Sequence, residues 1–108
     1  MMIYLDKNPN IIQWSYEKFS IKYIDKSSKP EKMRDYHIDF LAIAKTPTGL
    51  QKIWIEVKQE SETKKPLNES DLKSMKIWLK NKSKWEQAEK TAKQCNAIFK
   101  IITEKQLN

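Results

Sequence analysis

Polar and apolar residues alternate from Lys18 to Asp25, with Phe19, Ile21 and Tyr23 set against Ser20 and Lys22. A period of two predicts a half-buried strand there. From Ile38 to Ala44 every residue except Asp39 is apolar. A run covered on both faces predicts that Arg34 to Ala44 is a central strand. Thr46-Pro47-Thr48-Gly49 fits a four-residue turn, with proline second and glycine fourth, and Leu50 to Gln59 then returns as the paired strand. Upstream, Asn8-Pro9-Asn10 breaks the chain before a first strand at Ile11 to Trp14. Met1 to Asp6 is an apolar stub, too short to be a helix in its own right and read as the tail of a longer element or a docked terminus. Serines and prolines mark Lys26 to Glu31 and Glu60 to Asn68 as loops.

The period changes after Asn68. Leu72, Met75 and Leu79 recur at helical spacing, widened by Trp78, and predict a helix starting near Asn68 or Ser70. Ser83-Lys84-Trp85-Glu86 has the form of a capping box and predicts a second helix, with Trp85, Ala88, Ala92 and Cys95 on one face. Its alanines would let it lie close on a sheet, and Cys95 reads as a small core residue. Asn96 is a helix stop, Ala97 to Ile102 a final strand, and Thr103 to Leu107 a short helical turn. Strands, helix, strand predict a single mixed α/β domain over 1–108, with a parallel crossover between the strand ending near Lys58 and the one through Ile98.

Hairpin register makes a specific statement about two acids. If Lys45 pairs with Leu50, Asp39 lies opposite Glu56 and His37 opposite Lys58. Opposed residues share a face, with Cβ atoms about 4.5–5.5 Å apart. A slip of one residue would separate the acids onto opposite faces.

Composition narrows the class. The chain has 108 residues, 39% hydrophobic and 32% charged, enough for one core. No apolar run approaches the roughly 20 residues of a membrane span, and no signal-peptide pattern is visible, so a cytosolic chain is expected. Cys95 is the single cysteine, which excludes an internal disulfide and a cysteine metal cluster. The formal charge is +7, with Arg34 the only arginine. Between Leu72 and Lys100 eight lysines face only Glu86 and Glu89, a local charge of +6. Lys73, Lys76, Lys80, Lys82 and Lys84 could track a DNA backbone, giving salt-sensitive binding with little sequence preference. The competing reading is a solvated lysine-rich helix.

Asp39 followed by Glu56-Val57-Lys58 carries the candidate chemistry. Two carboxylates on adjacent strands can hold Mg²⁺, a hard cation that prefers oxygen ligands, and the Val57 backbone carbonyl could add a third. Lys58 returns to the face of Glu56, where it could orient an attacking water and offset charge growing on a phosphate. The plain alternative is an ion pair on an exposed sheet face. His37 alternates onto the Asp39 face as a possible accessory group, although a lone strand histidine is more often structural. Trp54 and Trp85 read as core rather than as base-stacking platforms. A glycine-rich phosphate loop, a Ser/His/Asp arrangement and zinc spacing are all missing.

These residues resemble the core of the PD-(D/E)xK nuclease superfamily, with Ile38-Asp39 in place of Pro-Asp. The segments 5–14, Ile55-Glu56-Val57-Lys58, Lys84-Trp85-Glu86-Gln87-Ala88 and 99–104 further resemble, in order, the head completion nuclease family of T-even-type phages, related to the N-terminal domains of Tn7-type transposon endonucleases. The resemblance implies a restriction-endonuclease-like mixed sheet flanked by helices. It implies Asp39, Glu56 and Lys58 as catalytic residues, Mg²⁺ (or Mn²⁺) held by Asp39, Glu56 and Val57, and DNA and other phage head or neck proteins as partners. The implied setting is the virion head or neck and the host cytoplasm, with no membrane. The family also carries an acid in a helix ahead of the first strand. Here the chain starts at what would be that helix's end, so the catalytic helix is expected to be largely absent, and Glu17, in a strand, is a poor substitute. Two other readings stay open: a catalytically weak DNA-binding head component, and a transposon-type endonuclease subunit.

Overall fold

The computed structural model describes residues 7–16 and 20–107. In chain order it forms β1 (Ile11–Tyr16), β2 (Ser20–Asp25), β3 (Lys32–His37), β4 (Phe40–Thr46), β5 (Gly49–Val57), a 3₁₀ turn at Glu60–Thr63, helix α1 (Leu72–Gln94), β6 (Ala97–Ile102) and the short α2 (Glu104–Leu107). β1, β4, β5 and β6 make a four-stranded sheet in that order, and β2 and β3 a separate hairpin. β1 and β5 flank β4 antiparallel, whereas β6 runs parallel to β5, as the crossover through α1 requires. The fold is thus mixed α/β. Met1 to Asp6, Glu17 and the Lys18-Phe19 start of the alternating strand lie outside the described residues.

Alternation along β5 feeds two cores. Trp54 joins Ile21, Tyr23, Tyr36, Ile38, Ala88, Ala92 and Ala97 on the α1 side of the sheet. Ile53 and Ile55 join Ala42, Ala44 and Ile102 on the other. Ala88 and Ala92 are fully buried, so the methyl-sized face of α1 sets how closely the helix lies on the strands. Trp54 and Trp85 both belong to this packing.

The structure departs from the sequence pattern in three places. The expected strand Arg34 to Ala44 is broken at Ile38-Asp39: its first part pairs with β2 and its second with β5. Ile38 is driven into the core at the break, while the Asp39 carboxylate takes the Val57 N–H. A side chain thereby replaces a backbone partner. The two expected helices are one continuous helix of 23 residues. Ser83 is interior to it and donates to the Leu79 carbonyl at 2.8 Å, so its hydroxyl is satisfied within the helix rather than capping a new one. Asp71 is the true N-cap, accepting from the Ser74 N–H. Cys95 is exposed rather than core, because the helix has ended and Asn96, at φ 57°, turns the chain away toward β6.

Asp25 closes the β2–β3 hairpin. It is buried and accepts from the Ser27 N–H at 2.9 Å and from Arg34 Nε at 2.8 Å. Burial works to raise its pKa, but hydrogen bonds from Ser27 and Arg34 win and hold it below the ordinary aspartate range. Its stabilisation is therefore complete above the unfolded value of about 3.9 and is lost as pH falls through the lower folded value. Asp25→Asn should lower the melting temperature clearly at about pH 6 and much less at about pH 2, as read by thermal unfolding. Ala92→Leu, which forces a larger side chain under α1, is expected to cost about 1–3 kcal/mol in urea denaturation.

Candidate active site

The β4–β5 ladder runs from Phe40–Ile55 to Lys45–Leu50 and Thr46–Gly49. This is the expected register, and its next step places Asp39 beside Glu56. Tight reversal at Pro47-Thr48 fixes it, with Gly49 at φ 128°, a backbone shape that side chains resist. Glu56 continues the alternation of Trp54 toward the α1 side and is buried there. Its Oε2 accepts from the Tyr36 hydroxyl at 2.7 Å, and its Oε1 lies 3.5 Å from Lys58 Nζ. Lys58 also reaches Glu62 on the 3₁₀ turn at 4.0 Å, and its N–H donates to the Ile102 carbonyl. Asp39 is exposed, and its Oδ2 accepts from the Val57 N–H at 2.9 Å.

Electrostatics in this corner are unbalanced. Burial is the largest influence on Glu56 and raises its pKa; the Tyr36 hydrogen bond opposes this, and the Asp39 charge adds to it. The two carboxyl groups are close enough to share a hydrogen bond, which also favours the protonated form. Burial and the Glu56 charge push the Tyr36 phenol upward. From α1, Lys84 places its ammonium 5.5 Å from the centre of the Tyr36 ring. Burial, then Lys80 and Lys58, lower the Lys84 pKa. A cation between the carboxylates would relieve the strongest of these conflicts. Asp39 and Glu56 form a hard-oxygen pair that could hold Mg²⁺ while several waters complete its shell. Among the described residues no group of three or more His, Cys, Asp or Glu side chains converges.

The structure brings together Asp39, Glu56, Val57, Lys58 and Lys84. It does not bring His37 there: His37 pairs with Ser20 on the β2–β3 hairpin and is exposed, because the strand break diverts it from Lys58. Tyr36 was missed. In an unbroken strand, alternation would point it away from Asp39, so only the break reveals its contact with Glu56. Lys73 and Lys76 are exposed on α1, and Lys80 is half-buried. Lys82 points elsewhere, 5.1 Å from the centre of the Trp78 ring and 3.9 Å from Glu86.

The sheet order, the parallel crossover and the packed helix define a restriction-endonuclease-like fold. Residues 8–104 match the family described as TnsA-like endonuclease N terminal, and the chain belongs to that family. It is also similar to the head completion nuclease of Enterobacteria phage T4, at 32% identity over 94% of this chain and 70% of that protein. No solved structure matches. The resemblance to the phage head completion nucleases and to the Tn7-type endonuclease N-terminal domains is borne out, and it supports a nuclease-type role. Among the described residues no helix is long and apolar enough to cross a membrane.

A raised Glu56 pKa means that the folded chain holds its proton more tightly than the unfolded one, so Glu56 lowers stability as pH rises above about 4.3. Glu56→Gln is therefore expected to raise the melting temperature at neutral pH in metal-free buffer, with the gain vanishing near about pH 4. Calorimetric scans across that range would check it.

Proposed function

We propose that this chain is a Mg²⁺-dependent DNA nuclease of the PD-(D/E)xK type, acting on the ends of packaged phage DNA before tail attachment. One observation carries the reading: the hairpin register sets Asp39 beside Glu56, with the Lys58 ammonium 3.5 Å from the Glu56 carboxylate. Asp39 and Glu56 would hold the cation, with the Val57 carbonyl as a further ligand. When bound, Mg²⁺ (or Mn²⁺) would polarise the scissile phosphate and make an attacking water more acidic. Lys58 would orient that water and offset charge growing on the phosphate oxygens. Ion pairs to Glu56 and Glu62 on either side hold the Lys58 head group at the site.

The helix supplies a path for the substrate. Lys73, Lys76, Lys80 and Lys84 recur at steps of three and four along α1 and so form one stripe. The stripe spans about 16 Å, or about five base pairs of duplex, and ends at the site through Lys84. Lys82 stands off this line. The similarity to a phage head completion nuclease supports DNA, head and neck proteins, and a virion or host-cytoplasm setting. A second reading, a DNA-binding head component with weak activity, is favoured by the convergence of only two carboxylates among the described residues.

Asp39→Ala is expected to cut Mg²⁺-dependent cleavage of linear DNA by about 10²-fold or more while leaving DNA binding intact. Equal cleavage by variant and wild type would remove the site, and metal-independent binding with no cleavage by either would favour the second reading.

A further inference from the structure

Burial discourages Glu56 from ionising, and the group that holds it is Tyr36. The phenol is 3% exposed. Its ring stands edge-on to Tyr23 at 6.3 Å and to Phe99 at 6.4 Å, and Lys84 covers it from α1. A ring clamped in this way cannot swing its hydroxyl elsewhere. The hydroxyl donates to Glu56 Oε2 at 2.7 Å, which leaves Oε1 in loose contact with Lys58 at 3.5 Å. Tyr36 comes from β3, which belongs to the other sheet, so the carboxylate is gripped from outside its own ladder. A buried phenol needs an acceptor, and here that need fixes the rotamer of a functional acid.

We propose that Tyr36 is a positioning residue that locks the Glu56 carboxylate in the orientation that receives a divalent cation. This rests on the metal-site reading above and adds a residue to it. Groups that orient metal ligands typically change metal affinity by about 10–100-fold when removed.

The test is Mn²⁺ binding to the full chain, followed by loss of the free-ion electron paramagnetic resonance signal. Tyr36→Phe should raise the Mn²⁺ dissociation constant about tenfold or more. DNA affinity in EDTA should not change, and cleavage by the variant should recover toward wild type as Mn²⁺ is raised. Tyr23→Phe is the control, because it removes a phenol from the same core without touching Glu56. An equal loss in Tyr23→Phe would show a general packing effect and overturn the proposal. Wild-type affinity in Tyr36→Phe would overturn the positioning role alone. Failure of the wild-type chain to bind Mn²⁺ would overturn the site reading and this role together.

Discussion

Hairpin register is the constraint on which the site depends. Seven residue pairs hold β4 against β5, and the two-residue reversal at Pro47-Thr48 allows no drift. Because side chains alternate, a slip of one residue would turn Glu56 to the other face, away from Tyr36, and would leave Asp39 without the Val57 N–H. The same slip would exchange Trp54 with Ile53 and Ile55 between the two cores, so packing defends the register that the chemistry needs. A mutation in the turn would therefore be felt at the opposite end of the hairpin.

The site itself works against the fold. An acid in a strand otherwise filled by Ile53, Trp54 and Ile55 is held in a place that favours its neutral form. Tyr36 and Lys58 offset this only in part. Such tension is common where a protein keeps a group ready for a cation or a substrate rather than for stability. Asp25 shows the contrast: it is also buried, but Ser27 and Arg34 satisfy its charge, and it serves to close a hairpin.

Much of this was legible in the residues. The β4–β5 turn, the last strand, the parallel crossover and the alanine face of α1 all follow from local pattern, because in each the period and the flanking Gly, Pro or Asn agree. What local pattern could not show was the division of one apolar run between two sheets. Local pattern makes Asp39 an interruption in a strand, whereas it lies in the break between two, and that difference puts His37 into the site and leaves Tyr36 out of it. The Ser83 motif is a true capping sequence overruled by context, since α1 already has a cap at Asp71 and packs on both β2 and β6. Cys95 fell on the right stripe but one step past the helix end.

That last displacement has a practical side. The single thiol of the chain sits exposed at the far end of α1, clear of both cores and of the carboxylates. A dye or spin probe can be attached there without replacing any residue. The native molecule is thus already equipped for distance spectroscopy, with its reporter at one end of the rigid rod along which the proposed duplex would lie.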